Sequence, residues 1–398
     1  MSNKFETQAI RIQEERTKRE HSVPLYLTSS FTFDSAEQAR ALFSEEEQGN
    51  IYSRFSNPNT NEFITKMCAL EGAEDGFATA TGMAAVFSSL AGLLQSGDHI
   101  VAARAVFGST HQILTQILPK WNIDHTYVDG SDNNAWESAI QENTKLIILE
   151  TPSNPGLELI DLEYVGHIAK KHNLILVVDN CFATPYLQQP IQYGADLVVH
   201  SATKFIDGQG RAVGGIIVGR ADLIKEIRFF NRQTGPALSP FNAWIFSKSL
   251  ETLAVRLDRH CENAESLALF LEDQEDIELV KYPFLKSHPH YELAKKQMKK
   301  GGGLVSFIVK GGLERGREFL NSLNLFSHSA NLGDTRTIAT HPASTTHSKL
   351  SEEEQEAVGI YPGLIRVSVG LEHIDDIIED IQQALEKTKH LVPAESYS

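Results

Sequence analysis

Cysteine is scarce in this chain. Three residues, Cys68, Cys181 and Cys261, are spread over 398 positions without a CxxC pair. That excludes a disulfide framework and a cysteine zinc site, and it fits a reducing compartment. His288-Pro289-His290 brings two imidazoles close, but its flanks offer no third ligand, so no metal site is read there. Basic residues are outnumbered, 36 Lys and Arg against 52 Asp and Glu, for a net charge of −16. Such a balance argues against nonspecific nucleic-acid binding. No apolar run approaches the ~18 residues of a membrane helix. The polar, charged start from Met1 to Val23 lacks the apolar core of a signal peptide, so the cytoplasm is the expected location. Internal repeats and low-complexity tracts are also missing.

What remains is an ordinary globular composition, 41% hydrophobic and 22% charged, with length for two or three domains. Residues 1–60 read as an irregular arm with no core of its own, ending in the turn-rich Asn57-Pro58-Asn59, and therefore expected to lie against another surface. From 61 to 255 a large domain is expected. Its short apolar runs, Ile100–Ala103, Leu146–Leu149, Leu174–Val178, Leu197–Val199 and Gly215–Val218, suit strands covered on both faces. Helical spacing between them (Leu162, Val165, Ile168, Ala169) implies a mostly parallel, doubly wound α/β sheet. After the break at Gly235–Pro240, with Ser239 as cap and Pro240 at the first helical position, a long helix is expected to about 272. Residues 256–398 read as a smaller α+β domain. It has strands at Leu304–Val309 and Leu364–Val369, and a final amphipathic helix carries Ile374, Ile377, Ile378, Ile381 and Leu385.

Two strand ends carry the chemistry. One apolar run ends in Asp179-Asn180, the next in His200-Ser201-Ala202-Thr203-Lys204. C-terminal strand ends are the usual ligand address in open sheets. A lysine and a carboxylate there suit pyridoxal 5'-phosphate: the amine holds the aldehyde as a Schiff base, and the acid keeps the pyridine nitrogen protonated. Ser201 and Thr203 offer hydroxyls to a phosphate. Thr81-Gly82-Met83-Ala84-Ala85 opens a helix whose N-terminus favours an anion. Phe107 follows a strand, where it either stacks on a cofactor ring or simply packs. Tyr52 and Arg54 sit two apart, so in an extended segment they point the same way and reach a phosphate together. Arg366, a charge inside an apolar strand, reads as a partly buried salt bridge or as a fork for a substrate carboxylate. A dinucleotide loop at Gly208-Gln209-Gly210 misses the GxGxxG spacing and follows Lys204 rather than a strand. A noncatalytic binding protein on the same fold would not need Lys204, Asp179 and Arg366 together.

Taken in order, Tyr52-Ser53-Arg54-Phe55-Ser56-Asn57-Pro58, Thr81–Ala85, Val178-Asp179-Asn180, His200–Lys204, and Gly333-Asp334-Thr335 through His341–His347 resemble the Cys/Met-metabolism pyridoxal-phosphate enzymes. That family includes cystathionine γ-synthase, cystathionine lyases, methionine γ-lyase and the homoserine-ester sulfhydrylases. The resemblance implies fold type I, the aspartate-aminotransferase-like fold, and a homotetramer built as a dimer of dimers. It also implies roles: Lys204 carrying the cofactor, Asp179 on the pyridine nitrogen, Gly82, Met83, Ser201 and Thr203 on the phosphate, Tyr52 and Arg54 reaching in from the adjacent subunit, and Arg366 on the substrate α-carboxylate. There are departures. Phe107 stands where many members have tyrosine, so proton transfer would fall to Lys204 or Tyr52. Ser109 stands where methionine γ-lyases commonly have cysteine. Ala330 precedes Asn331 where cystathionine-handling members have glutamate. Ile206–Arg211, Phe107–Thr110 and Ala330-Asn331 resemble the branch that exchanges the succinyl group of O-succinylhomoserine for sulfide. Asn331 and Arg211 are accordingly expected at the substrate, with Arg211 either meeting the distal carboxylate or forming a structural ion pair.

Overall fold

A computed structural model describes residues 3–13, 19–345 and 359–392. Thr346 and His347, which end the last motif, lie outside them. Seven strands form the large sheet: β1 (Asp75–Thr79), β2 (His99–Ala103), β3 (Asp124–Val128), β4 (Thr144–Glu150), β5 (Ile175–Asp179), β6 (Leu197–Ser201) and β7 (Gly215–Gly219). Their order is β1-β7-β6-β5-β4-β2-β3. β3, β2, β4, β5 and β6 run parallel, and β7 is antiparallel to both of its neighbours. The mostly parallel sheet expected from the apolar runs is therefore present, with one reversed strand.

Helices cover both faces, which is why the interior strands carry apolar residues on both faces. Val177, Leu197 and Val199 point into a core shared with Ala85, Val86 and Leu90 of the helix Gly82–Ala91. Leu176, Val178 and Val198 point the other way, into a core shared with Phe63, Met67 and Leu70 of the helix Pro58–Glu71. Alternation along a strand then sorts the strand ends. Asp179 and Ser201 continue the first face, and His200 continues the second.

A second sheet, ordered β10-β11-β12-β9-β8, contains β8 (Ile277–Lys281), β9 (Leu304–Val309), β10 (Ser327–His328), β11 (Ile338–Thr340) and β12 (Leu364–Ser368). Its core takes Ile377, Ile381, Ala384 and Leu385 from the last helix, Ile374–Lys387, as the stripe predicts. The helix Leu253–Glu272 ties the two cores together. Leu253, Ala254, Leu257 and Cys261 pack in the first, and Ala264, Leu267, Ala268 and Leu271 pack in the second.

Two expectations are corrected. The arm is not wholly irregular: Phe5–Arg11 and Ala36–Phe43 are helical, the second capped by Ser35. The long helix after Pro240 is two helices, Pro240–Leu250 and Leu253–Glu272, and the Ser239 side chain makes no capping bond. At the junction Glu251 turns toward the buried Lys66 amine at 3.6 Å and meets Lys248 at 2.6 Å. Among the described residues no helix is long and apolar enough to cross a membrane, and no group of His, Cys, Asp and Glu is arranged to hold a metal ion.

Candidate active site

The site forms where the C-terminal ends of β4, β5 and β6 meet the N-terminus of the helix Gly82–Ala91 and an edge of the second sheet. Thr81 caps that helix, its hydroxyl accepting the Ala84 N–H at 2.9 Å. Gly82 touches the end of β6 so closely that a Cβ there would stand 2.6 Å from the Ser201 Cβ. Only glycine lets the helix dipole and its free amides approach this near. Met83 packs against the core beneath. Ser201 ends β6, and the Thr203 hydroxyl is held between the Gly214 N–H (3.2 Å) and carbonyl (3.3 Å).

Lys204 follows, with its Nζ donating to Asn331 Oδ1 at 2.7 Å. Gly333, at φ +76°, makes this contact possible: a Cβ there would stand 2.5 Å from the Phe205 nitrogen. Burial is the main influence lowering the Lys204 pKa, with Arg366 adding to it. Both make a neutral, nucleophilic amine easier to obtain. Asn331 also turns its backbone carbonyl to Arg366 Nη2 (3.2 Å), while Arg366 Nη1 donates to Asn154 Oδ1 (3.1 Å). The Arg366 Nε is buried without a hydrogen-bond partner among the described residues. Burial pulls this guanidinium down to about 10. Its partners are neutral oxygens, so the partly buried salt bridge is not what forms here. A cation held this way is prepared for a carboxylate from outside.

Asp179 ends β5. Its Oδ1 accepts the Cys181 N–H at 3.0 Å, and burial pushes its carboxyl up to about 6. Beside it in register stands Glu150 at the end of β4. Burial first, then the negative charge of Asp179, raises the Glu150 pKa well above the ordinary carboxylate range. The Glu150 Oε2 accepts the Phe107 N–H at 2.7 Å, which fixes the loop carrying the exposed Phe107 ring. Glu150 and Asn154 went unremarked in the sequence. Glu150 carried the same signal as Asp179, an apolar run closing on an acid. Asn154 lay in Thr151-Pro152-Ser153-Asn154-Pro155, whose two prolines mark a stiffened loop.

Three expected residues have other company. Arg211 binds Asp207 through its backbone N–H (2.7 Å) and its Nε (3.1 Å), and its Nη2 donates to the Ser249 hydroxyl. Of its two sequence readings, geometry favours the structural ion pair. Tyr52 pairs with Ser30. Arg54 donates to the Arg232 carbonyl and lies 4.7 Å from the Phe55 ring centre. Within one chain neither makes a contact with Lys204. A cavity of about 320 Å³ lies elsewhere, between Tyr186, Tyr193, Lys296 and Lys299, and no expected site residue lines it.

The model of the Cys/Met metabolism PLP-dependent enzyme family matches residues 6–386. The O-succinylhomoserine sulfhydrylase of Pseudomonas aeruginosa is 47% identical over 96% of this chain and 95% of its own. The L-methionine gamma-lyase of Fusobacterium nucleatum is 45% identical, over 92% and 93%. A Campylobacter jejuni structure described as an O-acetylhomoserine (thiol)-lyase, which carries N'-pyridoxyl-lysine-5'-monophosphate, superposes with a TM-score of 0.92 at 37% identity, covering 96% of this chain and 99% of that one.

The residues present fit such a cofactor. A half-desolvated lysine amine, a partly buried carboxylate with no salt bridge among the described residues and a glycine-opened helix N-terminus converge on one face of the sheet. The chain belongs to the Cys/Met metabolism PLP-dependent enzymes, and its cofactor is pyridoxal 5'-phosphate.

Proposed function

We propose that the chain catalyses γ-replacement on an activated homoserine ester, converting O-succinylhomoserine and sulfide into homocysteine and succinate, as a cytoplasmic step of methionine biosynthesis. The observation that carries the reading is the Arg366–Asn331–Lys204 chain: a carboxylate receptor and a proton-handling amine joined through one asparagine. The succinyl ester is favoured because O-succinylhomoserine sulfhydrylases of P. aeruginosa and Mycobacterium tuberculosis are 47% and 44% identical to this chain.

In this reading Arg366 takes the substrate α-carboxylate, using the Nε that has no protein partner. That contact turns the Cα–H toward Lys204. Lys204 would anchor the cofactor, and its freed amine would remove the Cα proton and later return it. Asn331 holds the Nζ in line. Asp179 keeps a proton on the cofactor's ring nitrogen, and Gly82, Met83, Ser201 and Thr203 receive the phosphate. Pyridoxal phosphate, when bound, supplies the electron sink that stabilises negative charge at Cα. Phe107 stacks but moves no proton, so the Cβ proton goes to Lys204 or Tyr52. The Cγ–O bond to succinate then breaks and a Cγ–S bond forms. Tyr52 and Arg54 complete the phosphate site of an adjacent subunit in a dimer of dimers.

A second reading, methionine γ-elimination, is supported by the 45% identity to the Fusobacterium enzyme. Ser109, exposed at the start of the helix Gly108–Gln112, speaks against it, because methionine γ-lyases commonly have cysteine there. Purified holoenzyme is supplied with O-succinylhomoserine plus sulfide, with O-acetylhomoserine plus sulfide, and with methionine alone. Homocysteine and succinate should form fastest in the first mixture and should vanish with Lys204→Ala. Faster turnover of the acetyl ester, or faster release of ammonia and 2-oxobutyrate from methionine, would overturn the assignment.

A further inference from the structure

Behind the cofactor face of the sheet lies a sealed polar cluster that the mechanism above does not use. Glu71, the last residue of the helix Pro58–Glu71, projects under β5 and β6. Its Oε1 is 2.6 Å from His200 Nε2 and accepts the Asn180 side-chain N–H at 3.0 Å. Both side chains of the Glu71–His200 pair are completely buried. Asn180 then exchanges bonds with Gln188: its Nδ2 donates to the Gln188 carbonyl at 2.8 Å, and its Oδ1 accepts from Gln188 Nε2 at 3.0 Å. Gln188 donates onward to the Thr151 carbonyl at 2.9 Å and accepts from Gln297 at 3.2 Å.

Each member adjoins a cofactor-facing residue. His200 precedes Ser201, Asn180 follows Asp179, and Thr151 follows Glu150. The cluster therefore ties together the ends of three parallel strands from the side opposite the site. Strand ends are where a sheet's own ladder runs out, and the β5–β6 register stops at Asp179 and Val199. The Asn180 N–H still reaches the Val199 carbonyl at 3.1 Å. Beyond that point the spacing rests on side chains, this cluster and the weak Cys181 Sγ contact to the Ser201 carbonyl at 3.7 Å.

We propose that Glu71 and His200 are positioning residues for the cofactor: acting through Asn180 and the β6 backbone, they fix the separation of Asp179 and Ser201. This rests on the reading that Asp179 and Ser201 face the pyridine nitrogen and the phosphate. Two anchor points on one rigid ligand tolerate little drift, since a displacement of about 1 Å at a site can cost on the order of a hundred-fold. Of the titratable groups around Asp179, Glu150 and Lys204 stand on its own face, and the His200 imidazole alone approaches from the second face, where any charge it carries favours the ionised carboxylate.

The test titrates apo-protein with pyridoxal phosphate and follows the visible absorption band, with a thermal melt of each apo-protein as the folding control. Glu71→Leu and His200→Asn should raise the cofactor dissociation constant at least ten-fold and shift the bound-cofactor maximum. Glu71→Gln keeps an oxygen for His200 and Asn180 and should stay within about three-fold of wild type. Should Glu71→Leu not fold, His200→Asn carries the comparison alone. A folded His200→Asn with unchanged affinity and band overturns the proposal, as does a Glu71→Gln no better than the disrupted variants. Asp179→Asn serves as reference. If it too is without effect, the site reading fails; if it alone weakens binding, only this inference fails.

Discussion

A carboxylate out of reach of water is unfavourable until a cation faces it. Asp179, partly buried at the end of β5, approaches that position, and the sign of its effect on stability follows. Burial raises its carboxyl from 3.8 to about 6, so between those values the folded chain binds more protons than the unfolded one. Its contribution is fully present below about pH 4 and is lost as pH rises through about 6. The loss is on the order of 3 kcal/mol. Burial holds His260 and His288 near 4, which gives a slope of opposite sign in the same range, so the comparison is between variants: in urea unfolding of apo-protein at pH 4, 5, 6 and 7, wild type should lose stability relative to Asp179→Asn through this window. Loading with pyridoxal phosphate should shrink that relative loss, because a protonated ring nitrogen faces the carboxylate. At this scale the sequence was legible where chemistry sits at strand ends. Lys204 and Asp179 could be found from an apolar run closing on a charge. Arg211 could not be placed, because nothing in Ile206–Arg211 says that Asp207 would turn back to claim the guanidinium. Asn331, expected at the substrate, holds the lysine amine, and contact across 127 residues leaves no local trace of that bond.

Elements were legible in proportion to their burial. β4, β5, β6 and β7 are covered on both faces and read as continuous apolar runs. β3 was not foreseen, since Asp124-His125-Thr126-Tyr127-Val128 is an edge strand paired on one side only, and its outer residues are free to be polar. The helix Gly82–Ala91 was legible from the Thr81–Ala85 run that opens it, but its distance from β6 was not. That distance makes a prediction. Gly82→Ala would bring a methyl to 2.6 Å from the Ser201 Cβ and 2.8 Å from its Cα. Backbone cannot yield as a flexible side-chain tip does, so helix and strand must separate. Separation weakens the approach of helix amides to a phosphate, which is steep with distance. Gly82→Ala should therefore weaken pyridoxal phosphate binding at least ten-fold. It should also lower apo stability by about 1–3 kcal/mol, the usual cost of overpacking. Equilibrium dialysis and urea unfolding read the two effects separately, and an unchanged affinity would show that the phosphate sits elsewhere.

The whole molecule leaves apolar surface uncovered around the arm. Leu27 is 68% exposed, Phe43 62% and Phe229 67%. Arg54 shares that region: it bonds the carbonyl of Arg232, which lies three residues from Phe229 along one helix, and it approaches Phe55. An arm without a core of its own, offering an arginine and a half-exposed Tyr52 beside uncovered aromatics, suits a surface completed by a second copy. If Arg54 serves the site of a partner subunit, then Arg54→Ala and Lys204→Ala damage different chains of the same site. Each homogeneous variant should be inactive or nearly so. After unfolding, mixing in equal amounts and refolding, hybrids form in which one site of each pair has an intact Lys204 and an intact Arg54. Random pairing makes half the dimers hybrid, and half their sites are whole, so about a quarter of wild-type activity should return. Sites built from a single chain would return none, since every subunit in the mixture carries one lesion. The same refolding with Lys204→Ala and Asp179→Asn, two residues proposed for one chain's half of the site, gives the matched control. There too each hybrid holds one site with neither lesion only if the two residues come from different subunits, and recovery should stay at background.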